Sequence, residues 1–289
     1  MDMNEKIANA ADVAFTVRSY EAGIANHVTL PTLCNYMQEA AGVNAARLGW
    51  GIQTLQTEGH TWMLSRLHVS VTRYVPWGET ITVRTWPSGM KGRLIAKRCF
   101  LGFDERGEEL FRASSEWLYV DMAAQKIAKL PETFADLVPP GTPDFELPDI
   151  GGKFAHLPSV EGSADVLTRH SDLDFNDHVN NVHYVEWMLE GDGGHRAGVT
   201  LPGDSGHCAD VTMPGEIDIV FRQAAKAGEA LVSEFCTDGE KTLHAIRRPS
   251  DNAVLATAAM VGSRWRDCRN GAVGSRWRDG RMSEQEAVA

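Results

Sequence analysis

Long apolar runs are missing from this sequence. No stretch approaches the roughly 20 residues that a helix needs to cross a bilayer. The N-terminal segment MDMNEKIANA also lacks the basic region and the apolar region that together make a secretory signal. We therefore expect a cytoplasmic protein that neither inserts into a membrane nor passes through one.

Cysteine is scarce and unpaired. The five cysteines are an odd number, are widely spaced, and include no C-x-x-C pair. This pattern argues against a disulfide framework and against a redox motif, and favours buried thiols in a reducing compartment.

An excess of basic residues is also missing. There are 28 Lys and Arg against 39 Asp and Glu, which gives a formal net charge of −11. Nucleic acids and anionic membranes bind basic surfaces, so we expect neither as a partner. A local basic stretch, KGRLIAKR at 91–98, is interpreted as a solvated strand edge.

The residues that are present indicate two similar units. Hydrophobic residues make up 43% of the chain, which is enough for a sizeable core. In each unit a short strand precedes a helix, and several strands with period-two patterning follow. The predicted organisation is an N-terminal tail at 1–11, a first domain at 12–132, a Pro- and Gly-rich linker at 133–164, a second domain at 165–262, and a disordered tail at 263–289 that holds a twelve-residue repeat.

The two units also share amino-acid identities at equivalent positions. When the chain is shifted by 151 positions, identical or similar residues coincide in several pairs, among them Arg18 with Arg169, Glu21 with Asp172, His27 with His178, Val28 with Val179 and Met37 with Met188. Two copies of one supersecondary unit explain this agreement. Such copies can join their sheets edge to edge, which would hide edge strands.

The stretch SDLDFNDHVNNVHYVEWMLE, from Ser171 to Glu190, carries the candidate chemistry. Asp174, Asn176 and His178 occupy alternate positions, so in an extended segment their side chains would share one face. A helix follows directly, with Asn180 as its predicted N-cap. We expect the backbone N–H groups of Val179 and Asn180 to provide an oxyanion site at this helix start.

This layout suits the attack of water on a carbonyl. The amide can orient the water or the carbonyl, the imidazole can relay a proton, and the carboxylate can fix the imidazole or act as a base. A purely structural interpretation stays open, because Asp and Asn are common turn and cap residues before helices. No G-x-S-x-G nucleophile motif competes for the role.

The stretch RHSDLDFNDHVNNVHYVEWMLE resembles the signature of plant and bacterial acyl-acyl-carrier-protein (acyl-ACP) thioesterases. The segments RSYEAG, TLPTLCNYMQEAA, WMLSRLHVSVTRYVPWGETITVRTWPSG and RASSEWLYVDMAAQKIAKLPE resemble other parts of that family in the same order. The resemblance covers roughly residues 12–262. It implies an α+β tandem (double) hotdog fold, in which two long helices are each wrapped by an antiparallel β-sheet.

The same resemblance implies a function. It implies hydrolysis of fatty-acyl thioesters, most of all acyl-ACP, with release of free fatty acid in fatty acid biosynthesis and with no metal or organic cofactor. The partner would be acyl carrier protein or acyl-CoA, bound through its pantetheine thioester. The family uses its N-terminal half for the acyl pocket and its C-terminal half for catalysis, and Asp174, Asn176 and His178 match its catalytic set.

One departure from the family affects the proposed chemistry. The family continues with a strand reading Y-R-R-E-C, whose Glu belongs to the catalytic network, whereas this chain has Ala224 and Ala225 at the Glu and Cys positions. Asp218 shares a strand face with position 224 but would lie roughly 20 Å away. Gln223 could reach the site only through a β-bulge. Glu186 or Glu190 could supply a carboxylate from the helix, although a solvated or capping face is their expected place.

Other residues that could form a functional site also have simpler, structural interpretations. A metal site is conceivable in the Gly-rich loop, but its candidate ligands match no standard zinc spacing and we expect a mobile cover; these are His195, His207, Cys208 and Asp210. His27 is interpreted as a degenerate copy of His178. The tryptophans at 62, 77, 86 and 117 are expected in the core or along an acyl pocket.

Two other functions stay open at this stage, an acyl-CoA thioesterase and a non-catalytic acyl-thioester binding protein. The sequence leaves the acyl chain length and the oligomeric state open. A homodimer is retained, although the tandem repeat already supplies a dimer-like unit within one chain.

Overall fold

The structure is a computed structural model that describes residues 6–23, 25–191 and 209–267. The strands are β1 Ala11–Thr16, β2 His60–Val71, β3 Thr80–Lys91, β4 Ile95–Phe103, β5 Glu109–Asp121, β6 Lys126–Ile127, β7 Gly162–Leu167, β8 Ala209–Phe221, β9 Ala230–Asp238, β10 Lys241–Arg248 and β11 Ala253–Asp267. The α-helices are α1 Leu30–Arg47, α2 Ile52–Thr57 and α3 Asn181–Gly191.

The strands form one antiparallel sheet that is symmetric about its centre. Its order is β1-β3-β4-β5-β2-β8-β11-β10-β9-β7, with β6 paired to β5 at the side. The two halves meet where β2 pairs with β8, from Arg66 opposite Val220 to Ser70 opposite Glu216. The expected tandem hotdog fold and the edge-to-edge joining of its two sheets are therefore confirmed.

The internal repeat extends to the backbone. A shift of 151 positions places β1 on β7 and the first residue of α1 on the first residue of α3. Each helix is preceded by the same short turn, closed by the bridge Ala22–Val28 in the first half and by the bridge Leu173–Val179 in the second. Each turn contains one residue with positive φ, 59° at Asn26 and 57° at Asp177.

Both long helices begin as their sequences indicate. Thr29 caps α1, where its hydroxyl accepts the N–H of Thr32 at 3.3 Å. Asn180 caps α3, where its side-chain oxygen accepts the N–H of Val182 at 3.1 Å. An accepted N–H satisfies one of the orphan donors at a helix start, so these caps fix where each helix enters the core.

A buried ion pair crosses the junction between the two halves. The Arg66 guanidinium on β2 donates to both carboxylate oxygens of Asp218 on β8, at 2.8 and 2.7 Å. Asp218 is fully buried, so its charge depends on this partner. The role of Asp218 is thus to hold the central strands together.

The Pro- and Gly-rich segment between the halves covers the outer face of the first sheet. Trp86 donates its indole N–H to the carbonyl of Pro143 at 2.7 Å. Lys97, which is buried, forms ion pairs with Asp144 and Glu146 of this segment. These contacts place one face of β3 and β4 against the connection and leave the opposite face for α1.

Two expectations about the chain need revision. Strand β11 continues past the predicted end of the second domain at 262 and reaches Asp267, where it pairs with Ala209. The rest of the predicted tail lies outside the described residues. Trp77, expected in the core or the pocket, is 57% exposed.

Two further features bear on compartment and membrane. Cys34, Cys99 and Cys236 are free and buried. Within the described ranges, no helix is both long and apolar enough to cross a membrane.

Candidate active site

The segment from Asp174 to His178 forms a tight turn. One oxygen of the Asp174 carboxylate accepts the backbone N–H groups of Asn176, at 2.8 Å, and of His178, at 3.4 Å. The N–H of Asp174 donates in turn to the carbonyl of His178 at 2.7 Å. The expectation of an extended segment with alternating side chains is therefore wrong, because a short acidic side chain bonds its own backbone and closes the turn.

The turn nevertheless brings the three predicted residues to one place. Asp174, Asn176 and His178 all line a single cavity of about 680 Å³. This volume lies within the range of small-molecule binding sites. Among the described residues, neither ring nitrogen of His178 has a hydrogen-bond partner, so the imidazole is available to a bound molecule.

The first half of the chain contributes to this site through Thr61. The Thr61 hydroxyl, at the start of β2, donates to the side-chain oxygen of Asn176 at 3.2 Å. This bond leaves the amide N–H groups of Asn176 for the cavity. Sequence reasoning missed Thr61, because 115 residues separate it from Asn176 and no local pattern marks it.

The predicted oxyanion donors are wrong. The N–H of Val179 donates to the carbonyl of Ala225 at 2.9 Å, and the N–H of Asn180 donates to the carbonyl of Asp172 at 2.9 Å. Both groups are used, because the residues just before α3 hydrogen-bond to Ala225, which follows β8, and to Asp172, which precedes the turn. The next N–H belongs to Asn181, which lines the cavity, and we find no acceptor for it in the described part of the chain.

A β-bulge follows β8 at the position where the resemblance placed the family Glu. The N–H groups of Arg222 and Gln223 both donate to the carbonyl of Leu255, at 2.8 and 3.2 Å. Gln223 and Ala224 consequently both line the cavity. Gln223 is exposed, and its side-chain oxygen accepts a hydrogen bond from Arg248 at 3.0 Å.

The carboxylates of α3 do not reach the cavity. Glu186 binds the ring of His183 at 2.6 Å, and this contact raises the pKa of His183. Glu190 is exposed and does not line the cavity among the described residues. In addition to Asp174, the cavity is lined by the carboxylate residue Glu39 on α1 in the first half of the chain. Glu39 is the repeat equivalent of Glu190.

Aromatic side chains form much of the remaining cavity wall. Trp50, Trp62 and Phe134 line it and pack on one another, with ring centroids 5.0 to 6.3 Å apart. Trp117 lines it as well, in agreement with the expectation for Trp62 and Trp117. Gly42 on α1 faces open space there, since a Cβ built on it would meet no atom within 4 Å.

The remaining candidates do not join this site. His27, the repeat equivalent of His178, hydrogen-bonds the carbonyl of Ala25 at 2.8 Å and does not line the cavity. In the described part of the chain, no group of three or more His, Cys, Asp or Glu side chains could hold a metal ion. The candidate ligands in the Gly-rich loop lie outside the residues whose side chains are described.

Comparison with protein families gives two matches. Residues 9–138 match the acyl-ACP thioesterase N-terminal domain, and residues 159–195 match the acyl-ACP thioesterase C-terminal domain. The second match contains the turn and all of α3.

Curated relatives are similar over part of their length. An oleoyl-acyl carrier protein thioesterase of Coriandrum sativum is 29% identical over 192 residues, which is 61% of this chain and 52% of the relative. A palmitoyl-acyl carrier protein thioesterase of Gossypium hirsutum is 33% identical over 188 residues, which is 61% of this chain and 45% of the relative. The chain thus spans about half the length of the curated relatives it matches.

Solved structures share the whole fold. An acyl-ACP thioesterase from Bacteroides thetaiotaomicron has a TM-score of 0.70 at 19% identity and covers 88% of this chain and 98% of its own. A 12:0-ACP thioesterase from Umbellularia californica has a TM-score of 0.71 at 22% identity and covers 90% of this chain and 99% of its own. At this level of identity the agreement shows the fold.

Proposed function

Because the chain belongs to the acyl-ACP thioesterase family, we propose that it hydrolyses fatty-acyl thioesters of acyl carrier protein and releases free fatty acids. One observation carries the proposal: the Asp174, Asn176 and His178 side chains line the same cavity as an aromatic wall. Polar groups suited to thioester hydrolysis thus adjoin a surface suited to an acyl chain.

In this proposal Asn176 polarises the thioester carbonyl. Its side-chain oxygen already accepts the hydroxyl of Thr61, so its N–H groups are the part that faces a substrate. Donors aimed at a carbonyl oxygen stabilise the negative charge that develops there during attack. We assign the backbone N–H of Asn181 as a second donor, in place of Val179 and Asn180.

His178 is assigned as the acid and base. Its imidazole takes a proton from water as the water oxygen bonds to the thioester carbon. When the tetrahedral intermediate collapses, the C–S bond breaks and the imidazolium returns the proton to the departing pantetheine thiol. Asp174 is assigned as the residue that holds the turn in place, because its carboxylate binds the backbone N–H groups of Asn176 and His178.

The acyl chain is assigned to the part of the cavity formed by the first half. Trp50 and Trp62 belong to the first domain and Phe134 to the start of the connecting segment, and all three offer apolar surface. Arg222 lines the same cavity on the side of the turn and is exposed, which suits an anionic carrier or coenzyme at the entrance.

A cytoplasmic location and a homodimer are the finer parts of the proposal. Three free buried cysteines suit a reducing compartment, although the plant relatives are named as chloroplastic. Cell fractionation tests the location, and light scattering of the full chain tests the homodimer.

Thiol release from matched substrates tests the activity itself. The purified full chain is given acyl-ACP and acyl-CoA with the same acyl group, without added metal, and free thiol is followed with a thiol-reactive dye. We expect catalytic turnover of acyl-ACP, with higher kcat/KM than for acyl-CoA. A higher kcat/KM for acyl-CoA would instead identify an acyl-CoA thioesterase.

A non-catalytic acyl-thioester binding protein is the second candidate. The methyl group of Ala224 favours it, because the family places a carboxylate of the catalytic network at that position. Calorimetric binding of acyl-ACP with no thiol release above the uncatalysed rate would establish this candidate and exclude the hydrolase.

A further inference from the structure

Arg98 is a cation inside the fold that has no carboxylate partner among the described residues. It lies on β4, and its guanidinium donates to the side-chain oxygen of Asn44 on α1 at 2.8 Å and to the Thr85 hydroxyl at 3.2 Å. Both partners are neutral and fully buried. Burial lowers the pKa of Arg98 to about 10, because no neighbouring carboxylate offsets the loss of solvent.

Two other cations that are buried or half-buried in this fold have carboxylate partners. The neighbouring Lys97 pairs with Asp144 and Glu146 on the outer face of the sheet. Arg66 pairs with Asp218 at the junction of the two halves. Arg98 is half-buried, and withdrawing an unpaired charge from water is costly, so its retention needs a reason at that position.

Arg98 lines the same cavity as the catalytic turn. The accessible part of its side chain faces this cavity, which the turn residues Asp174, Asn176 and His178 also line. Glu39 lines the cavity too, but it forms no ion pair with Arg98 in the described chain. Within the described residues, Arg98 is thus a cation on the cavity wall without a carboxylate partner, whereas Lys97, which also lines the cavity from β4, is paired with Asp144 and Glu146.

The strand pairing gives the distance between Arg98 and the catalytic turn. Arg98 pairs with Ser115 on β5, which pairs with Leu67 on β2, six residues beyond Thr61, the residue that contacts Asn176. At about 3.3 Å per residue along a strand and about 4.8 Å between strands, the backbones of Arg98 and Thr61 lie roughly 20 Å apart. An extended acyl chain attached at the turn, lying in the cavity that both ends line, could span this distance and bring its far end to Arg98.

We propose that Arg98 binds a carboxylate at the far end of the acyl chain, so that the preferred substrate is an acyl thioester with a terminal carboxyl group. The inference rests on the proposed function, since it names the substrate class of that same site. A guanidinium binds a carboxylate through two parallel charge-assisted hydrogen bonds. A terminal methyl group would leave the Arg98 charge without a compensating carboxylate.

The test compares substrates that differ at one end. Thioesters of acyl carrier protein are prepared in pairs with the same number of chain carbons, one ending in a carboxylate and one in a methyl group. Kinetics are measured for the unaltered chain, Arg98→Met, Arg98→Lys and the control Arg112→Met. Arg112 lies on the adjacent strand β5, is half-buried, binds Glu109 and does not line the cavity, so Arg112→Met removes one positive charge away from the cavity.

In the unaltered chain, we expect the carboxyl-ended substrate to have a kcat/KM on the order of 10-fold or more above that of its methyl-ended partner, as one charge-assisted contact implies. Arg98→Met should lower this ratio to one or below, Arg98→Lys should retain part of it, and Arg112→Met should leave it unchanged. A methyl-ended preference in the unaltered chain, or a ratio that Arg98→Met leaves intact, would overturn the proposal.

Binding without turnover separates this inference from the hydrolase assignment. If neither substrate is hydrolysed, the proposed function fails, and calorimetry with a free dicarboxylate and the monocarboxylate of equal length then decides the question. Tighter binding of the dicarboxylate, lost in Arg98→Met, would support the Arg98 site. Equal affinities in the unaltered chain would refute it, and that comparison needs no folded variant.

Discussion

Replacing Thr61 by Val removes the hydrogen bond that connects the first half of the chain to the catalytic turn. The bond spans 3.2 Å between two neutral groups, and Thr61 is 9% exposed. A bond of this kind contributes about 1 kcal/mol, which corresponds to a fall in kcat of roughly 5-fold if it acts only on the transition state. Val has nearly the same shape as Thr and suits a strand, so the fold should be retained.

Steady-state kinetics with acyl-ACP and a thermal melt check this prediction together. We expect kcat to fall while KM stays nearly constant, because the Asn176 amide can then rotate away from the thioester carbonyl. Thr61→Ser keeps the hydroxyl and should recover most of the lost rate. An unchanged kcat in Thr61→Val, or a loss that Thr61→Ser shares fully, would refute the positioning of Asn176 by Thr61.

Three further predictions follow from the cavity and the junction. Ala224→Glu should raise kcat/KM, because a carboxylate beside His178 would raise the proton affinity of its imidazole. If Ala224→Glu leaves the activity unchanged while Glu39→Gln lowers it strongly, Glu39 already supplies that carboxylate. Gly42→Leu should shift turnover toward shorter acyl chains, since its new side chain would project into the cavity, and an unchanged chain-length profile would contradict this. Arg66→Met should lower the free energy of unfolding in urea by about 3 to 5 kcal/mol because it leaves Asp218 buried and unpaired, whereas a loss below about 1 kcal/mol would show that the pair is dispensable.

The fold was predictable because its signals repeat. Alternating apolar residues mark the strands, Thr29 and Asn180 mark the two helix starts, and the shift of 151 positions relates the halves. Each of these signals is local or recurs along the chain. The pairing of β2 with β8 follows because two similar half-sheets each have an edge to cover.

The residues of the candidate site could be predicted from the sequence, but the backbone conformation that arranges them could not. Alternate spacing suggested a strand, but Asp174 bonds the backbone of Asn176 and closes a turn, a competition that period-two patterning does not reveal. The same closure brings Val179 against Ala225 and removes the expected oxyanion donor.

The sequence could not predict which residues of the first half line the candidate site. Thr61 and Glu39 reach the cavity from the first half, where no motif connects them with the turn. From the sequence, Gln223 could be expected at the cavity only if a β-bulge were present. The bulge itself is shown by the shared carbonyl acceptor at Leu255, which only the structure reveals. Contacts between elements far apart in the chain decide these positions.

The rate of acyl-ACP hydrolysis by His178→Ala, compared with that of the unaltered chain, measures directly whether His178 is the acid and base of the reaction. His178 lines the cavity, and its ring has no hydrogen-bond partner among the described residues, so its loss should leave the fold intact. We expect kcat to fall on the order of 10²-fold or more, with an unchanged melting temperature, because a positioned acid and base is lost. Turnover equal to that of the unaltered chain would contradict it.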